Sequence, residues 1–322
     1  MSAPILVAPD GFKGTFSAAE VAAAVARGLR LAGRDAEEMP VADGGEGTME
    51  VLVSALGGEL HTATVADPLG RPVEASFALL SDGETAIVET AQASGLWRVA
   101  EEERDAWAAS TRGTGELMAA AVEAGAQKVI LTVGGSATSD GAAGALEALD
   151  EAEVDPRIEV LCDVRTAFED AARVFGPQKG ADEETVTRLE GRLEELAEAA
   201  PRDPRGEPMT GAAGGLSGGL WAYRDARLLP GAAYVLDALG FDERMRAAAF
   251  VVTGEGRLDE QTLQGKICGE VATRCRQHGV ACHAIVGEDS LDPFQERILA
   301  LQSVTEATTI EELEAAGRAL VS

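Results

Sequence analysis

The chain has 322 residues, 46% hydrophobic and 25% charged, the makeup of a globular protein with room for two ordinary domains. Its 27 basic residues against 55 acidic ones leave a formal charge of −28. Such a surface repels nucleic-acid phosphates and anionic lipids, so neither is expected as a partner. No apolar stretch is long enough to cross a membrane as a helix, and Met1-Ser2-Ala3-Pro4 lacks the basic and apolar regions of a secretion signal. These features predict a cytoplasmic protein.

In chain order, Ile5–Pro9 reads as a strand, followed by the turn Asp10-Gly11-Phe12-Lys13-Gly14-Thr15. Ser17 and Glu20 have capping-box spacing, and Val21, Val25 and Leu29 give a helical stripe. A second unit runs from a strand at 38–41 through Asp43-Gly44-Gly45-Glu46-Gly47-Thr48 into a helix to about Leu56. Between His61 and Val88 the pattern changes. Short alternating runs at 62–65, 73–79 and 85–88, separated by turn residues, predict an antiparallel meander.

From Ser110 the strand–glycine loop–helix alternation returns. Strands are predicted at 128–133, 158–161, 250–252 and 283–286, and helices at 115–124, 183–200, 267–278 and 311–320. The alternation argues for α/β architecture with mostly parallel sheet. The four cysteines form no C-x-x-C pair and the three histidines no H-E-x-x-H pattern, which predicts reduced, buried thiols.

The 37 glycines exceed the average of about 7%, and the excess falls in loops between predicted strands and helices. There glycine lets backbone N–H groups approach an anion at a helix N-terminus. Several such loops predict a phosphate or nucleotide site. No G-x-G-x-x-G follows a strand, and Glu260 stands where a Walker loop ending at Gly265-Lys266 needs its first glycine. Gly215-Leu216-Ser217-Gly218-Gly219 fits a nucleophile elbow, but no predicted strand leads into it.

Only four of the 27 basic residues are lysine, and three of these, Lys13, Lys179 and Lys266, adjoin a glycine. A lysine ammonium suits a moving phosphoryl group better than arginine's planar fork. Lys128, before a strand, reads as a solvated surface residue. Asp10, Asp43, Glu46, Asp140, Asp163, Glu255 and Asp259 crowd the same loops, where carboxylates hold Mg²⁺ or accept a hydroxyl proton. For Asp140 and Glu46, each beside a predicted helix start, N-capping is the competing role.

At these residues the sequence resembles the bacterial type I glycerate kinases. The matching motifs are Ala8–Gly14, Val41–Thr48, Asp67–Val73, Gly113–Glu116, Gly134–Thr138, Phe175–Gly180, Ala212–Leu216 and Thr253–Asp259, in the family's order. The stretch between Leu149 and Asp155 is shorter than the family's. The resemblance implies transfer of the γ-phosphoryl group of ATP, with Mg²⁺, to D-glycerate, giving 2- or 3-phosphoglycerate, by a monomer or homodimer.

It further implies an α/β fold in two domains: a mostly parallel, Rossmann-like sheet from residues 1–65 and 244–322, and an inserted α/β domain, 66–243, opening with the meander. The expected catalytic residues are Lys13, Asp163, Lys179 and Asp43. Arg71, Arg257 and Asp10 are expected to bind glycerate, and Gly134, Gly135, Ser136, Thr138, Gly214, Gly215 and Lys266 to bind ATP. Glu255 and Asp259 are the expected Mg²⁺ ligands and Asp163 the expected residue at the glycerate hydroxyl, the exchange of Glu255 and Asp163 being the alternative.

Overall fold

The computed structural model describes residues 3–12 and 14–321. The chain divides into two compact units, one built from 1–43 and 232–322, the other from 44–231. These limits differ from the sequence-based 65/66 and 243/244. The helix Thr48–Leu56 packs on the meander strands and joins the second unit, while the helices Gly231–Ala238 and Phe241–Ala247 go with the first.

With strands numbered along the chain, the first unit holds β1 (Ile5–Pro9), β2 (Ala36–Glu38), β9 (Val251–Gly254), β11 (Cys282–Val286) and β13 (Ser303–Glu306). They form one parallel sheet in the order β13-β11-β9-β1-β2. All five residues of β1 are buried, as expected of a parallel strand covered on both faces. Ile5 and Val7 pack against Val21, Val25, Leu29 and Leu313 on one side. Leu6 and Ala8 pack against Val251, Val271 and Cys275 on the other. The helix Ala18–Leu31 begins at Ser17, whose hydroxyl accepts from Glu20 N while the Glu20 carboxylate accepts from Ser17 N, completing the capping box. A two-strand ribbon, β10 (Arg257–Leu258) with β12 (Glu288–Asp289), extends the strand ends.

The second unit holds a six-stranded mixed sheet in sequential order: β3 (Gly58–Ala66), β4 (Pro72–Leu80), β5 (Thr85–Glu89), β6 (Lys128–Thr132), β7 (Arg157–Cys162) and β8 (Arg227–Pro230). β3, β4 and β5 are the predicted antiparallel meander, and β5 to β8 run parallel. Phe77, Val88, Leu117, Val129, Leu131, Val160, Leu216 and Leu220 form its core. Phe168 joins Leu189 and Leu193 of the helix Glu183–Ala199 in a smaller cluster. In the shortened stretch, the helix Ala143–Glu151 reaches β7 through one tight turn with Glu153 at φ 55°.

All four cysteines are buried free thiols, as expected. Lys128 is not simply solvated: its ammonium lies 3.4 Å from Glu159. The strand expected at 38–41 is displaced to Ala36–Glu38. Several short elements lacked a sequence signal strong enough to be expected, among them the helices Gly231–Ala238, Phe241–Ala247 and Pro293–Leu299 and the strands β8 and β13. Both strands are short, sit at a sheet edge and contain no fully buried residue.

Candidate active site

In the first unit all five main strands are parallel, so their C-terminal ends share one edge. The chain order reverses between β1 and β9, the position where open α/β sheets form a crevice. Asp10 follows β1 and Glu255 follows β9, so the two carboxylates flank that point. They line a cavity of about 400 Å³ together with Asp43, Arg257, Lys266 and Thr308, a volume in the range of small-ligand sites.

Glu255 is 6% exposed. Its Oε1 accepts from Thr262 Oγ1 at 2.7 Å. Burial pushes its pKa up to about 7, and the charges of Asp43 and Asp259 push the same way, against Lys266. A carboxylate in that state is stabilised by any cation delivered to it. Asp259 shapes a turn, accepting from Gln261 N, and its carboxylate lies 3.6 Å from the Lys266 ammonium. Arg257 reaches Ser290 Oγ and Glu288. Asp10 accepts from Gly11 N at 2.7 Å.

In the second unit, the loop after β6 carries Gly134, Gly135, Ser136 and Thr138. Two glycine contacts shape it. Gly135 sits at φ 69°, where a side chain would run into Glu46 Oε1. Gly214, at φ 67°, lies so close to the loop that a Cβ would come 2.0 Å from Thr138 O. Gly215 then starts the helix Leu216–Arg224 with no side-chain cap. The structure thus brings together the two glycine runs that the sequence kept 75 residues or more apart, and Lys179 with them.

Lys179 is 2% exposed. Its Nζ donates to Ser136 Oγ at 3.1 Å and to Thr138 O at 2.5 Å. Among the described residues no carboxylate lies within ion-pair distance of it, and burial lowers its pKa to about 7. Asp163, half-buried, follows β7 at the same edge of the sheet. Arg71 spends its Nε on Asp67 at 2.5 Å and its Nη1 on Glu103 at 3.0 Å. Lys13 lies outside the described residues.

The glycerate kinase family matches the chain over residues 5–157 and 149–320. The chain belongs to the glycerate kinase family. The two matched segments overlap at 149–157, the stretch that reads as shortened in the sequence. A glycerate kinase from Halalkalibacterium halodurans is 40% identical, with 88% of this chain and 85% of that one aligned. A glycerate 2-kinase from Escherichia coli is 38% identical over 88% of this chain and 84% of its own. The crystal structure of a provisionally named glycerate kinase 2 from Salmonella typhimurium superposes with a TM-score of 0.83 at 33% identity. That superposition covers 100% of this chain and 98% of the other. As a member of this family the chain is an ATP-using enzyme, with the α/β fold of that neighbour.

One residue beside this glycerate kinase's loop escaped the sequence analysis. Glu89 ends β5, is 5% exposed, and its Oε1 accepts from Met49 N at 2.9 Å. Burial, with the nearby charge of Glu46, raises its pKa to about 7. Glu89 therefore supplies an acceptor at the start of the helix Thr48–Leu56, where Glu46 was the capping candidate; the N-cap itself is Gly47, without a side-chain bond. Its only sequence signal was a charged residue closing an otherwise apolar strand. Asp140 is not the N-cap of the helix Ala143–Glu151, which is Ala142 without a side-chain bond, but its Oδ2 accepts from Gly144 N in the first turn at 3.2 Å and from Thr111 N at 2.8 Å.

Proposed function

We propose that this enzyme transfers the γ-phosphoryl group of Mg·ATP to the 2-hydroxyl of D-glycerate, releasing ADP and 2-phosphoglycerate. The observation that carries the reading is Lys179: a buried ammonium on a glycine loop, held by neutral acceptors alone. An oxyanion completes such a site, and a phosphoryl group is the oxyanion a kinase brings. The choice of the 2-hydroxyl is supported by the 38% identity to the Escherichia coli glycerate 2-kinase.

The donor set fits Mg²⁺. Among the described residues no three His, Cys, Asp or Glu side chains gather closely enough to cage an ion. Mg²⁺ typically uses one or two carboxylates and takes its remaining ligands from phosphate and water. Glu255, with Asp43 or Asp259, supplies hard oxygen donors of that kind, and the buried Glu255 carboxylate gains most from a cation. When bound, the metal neutralises charge on the transferred phosphoryl group.

The protein's own residues do the rest. Lys179 and Lys13 neutralise phosphoryl oxygens, and Ser136, Thr138 and the backbone of Gly134, Gly135, Gly214 and Gly215 hold the nucleotide's phosphates. Lys266, its charge partly met by Asp259, is a further candidate for a phosphate contact. Asp163 accepts the proton of the attacking hydroxyl, and Asp10 orients the glycerate hydroxyls. Arg257 pairs with the glycerate carboxylate, a role for which Arg71, tied to Asp67 and Glu103, is the second choice. Positioning and charge neutralisation carry such a transfer.

The test is a purified-enzyme assay with Mg·ATP and D-glycerate. Expected is glycerate-dependent ADP release, with the product consumed directly by enolase. Product that enolase uses only after a phosphoglycerate mutase is added reverses the regiochemistry. No glycerate-dependent ADP release overturns the reading.

A further inference from the structure

A buried hydroxyl ties Glu255 to the turn that follows it in the first unit. Thr262 is fully buried, and its Oγ1 donates to Glu255 Oε1 at 2.7 Å. The same Oγ1 accepts from Asp259 N at 3.2 Å. With an N–H on its lone pair, the hydroxyl has its single proton left for the carboxylate. A donor there matches an ionised carboxylate, the form that binds a cation. Glu255 and Lys266 line the cavity, whereas Thr262 stands behind Glu255.

We propose that Thr262 is a positioning residue for the kinase reaction: its hydroxyl, itself held by Asp259 N, fixes the Glu255 carboxylate for the Mg²⁺ that accompanies the nucleotide. The proposal rests on the metal role given to Glu255 above. Outer partners of this kind keep a metal ligand in one orientation, and losing one typically costs about 10–100-fold in metal affinity or activity.

The surroundings leave this task to Thr262. The other buried hydroxyl at the end of β9, Thr253, spends its proton on Ala8 O at 3.0 Å. The Lys266 ammonium lies 3.6 Å from Asp259, on the turn that Thr262 belongs to. Thr262 is itself held in place before any ligand arrives. Its N donates to Asp259 O at 3.0 Å. Gly269, in the helix Ile267–His278, comes so close that a Cβ there would lie 2.0 Å from Thr262 O. A hydroxyl seated this firmly can orient a carboxylate rather than follow it. Asp259 has two parts in the arrangement: its N–H aims the hydroxyl, and its carboxylate meets Lys266.

The test follows Mn²⁺, used in place of Mg²⁺, as it binds the full-length protein saturated with ADP, by electron paramagnetic resonance. The Mg²⁺ dependence of the rate is measured beside it. Thr262→Val keeps the side chain's shape and removes the hydroxyl. Expected is a Mn²⁺ affinity about tenfold weaker and a matching rise in the apparent Mg²⁺ requirement. The KM for glycerate should stay within about twofold of wild type, and kcat at saturating metal within about threefold. Thr262→Ser, which keeps the hydroxyl, should hold the Mn²⁺ affinity to within about twofold of wild type. In a Glu255→Ala background, Thr262→Val should weaken Mn²⁺ binding by less than about twofold more, because the carboxylate it orients is gone.

Wild-type Mn²⁺ affinity in folded Thr262→Val overturns the proposal, as do equal losses in the valine and serine variants. A Thr262→Val loss undiminished in the Glu255→Ala background also overturns it, because that is the mark of general damage to the turn. Unchanged Mn²⁺ affinity in Glu255→Ala alone overturns the metal role of Glu255, and the proposal with it. If Thr262→Val does not fold, Thr262→Ala is measured in its place with the same expected loss, and an unchanged affinity there overturns the proposal.

Discussion

The two units solve the same packing problem, and each buries near its sheet's C-terminal edge groups whose charged form burial opposes: the carboxylate Glu255 in the first, and in the second the ammonium Lys179 and the carboxyl Glu89. In the first unit the parallel edge gathers carboxylates, Asp10, Asp43 and Glu255, around one cavity. In the second the edge after β6 gathers glycine backbone, small hydroxyls and a buried lysine. In both, burial opposes the charged form: Glu255 is pushed up to about 7 and Lys179 down to about 7. Taken separately, the carboxylate edge of the first unit suits a cation and the lysine edge of the second an oxyanion.

The comparison breaks first at Lys179. Lys179→Met should lower kcat/KM by about 10³-fold, the scale of losing one charge aimed at a developing oxyanion. A folding readout separates this from damage to the protein. Lys179 has a folded pKa below its unfolded one, so the native state binds fewer protons between pH 7 and 10. Wild-type stability should therefore rise across that window, and the methionine variant should lose this rise. A pH-independent difference in melting temperature would show that the ammonium is not buried as described.

The carboxylate edge and Asp163 should fail in different ways. Glu255→Gln is expected to cut the rate by about 100-fold and raise the apparent Mg²⁺ requirement, so that excess metal restores part of the rate. Asp163→Asn should lower kcat by a similar factor with an unchanged Mg²⁺ requirement. Metal rescue of Asp163→Asn and not of Glu255→Gln would exchange the two assignments.

A smaller effect is expected at Glu89, the second unit's own buried carboxyl. Its folded pKa is raised from 4.5 to about 7, so its contribution to stability is complete below pH 4.5 and is lost as the pH climbs through 7. Glu89→Gln keeps an acceptor for Met49 N and removes that loss. The variant should melt about 2–4 °C above wild type at pH 8 and show no gain at pH 4.5. Equal melting curves at both pH values would mean that Glu89 stays solvated.

How much of this was legible follows from what each residue's role depends on. Lys179 and Glu255 stood out because lysine is scarce here and because a carboxylate directly after an apolar strand sits at a sheet's functional edge. β1 was readable from its unbroken apolar run. Glu89 was not, because its part is defined by a backbone N–H 40 positions earlier in the chain. Asp140 was readable as a residue beside a helix start, whereas its bonds to Ser110 and Thr111, some 30 positions earlier in the chain, were not. The helix Pro293–Leu299 did carry a signal: Asp292 and Gln295 form a capping box with Pro293 at the first position. It was obscured because Phe294 and Ile298 stay exposed and give no buried stripe. The boundary at 43/44 was hidden because a helix of the second unit follows the first unit's loop without any change in composition.

The smallest expected effect separates the two arginines. Arg257 lines the cavity that holds Asp10 and Glu255, and its partners Ser290 and Glu288 are exposed groups that a substrate carboxylate can replace. Arg71 is anchored differently. Its Nε meets Asp67, a carboxylate only 2% exposed, and its Nη1 meets Glu103, so moving it to a ligand would strip a buried acid of its cation. Arg257→Ala should therefore raise the KM for glycerate by about tenfold while kcat changes little, the pattern of a lost ground-state contact. Arg71→Ala should raise that KM by no more than about threefold and instead lower the melting temperature, because Asp67 keeps only its backbone donors at Leu69 and Arg71. The opposite ranking of the two KM values would move carboxylate recognition from the first unit to the second.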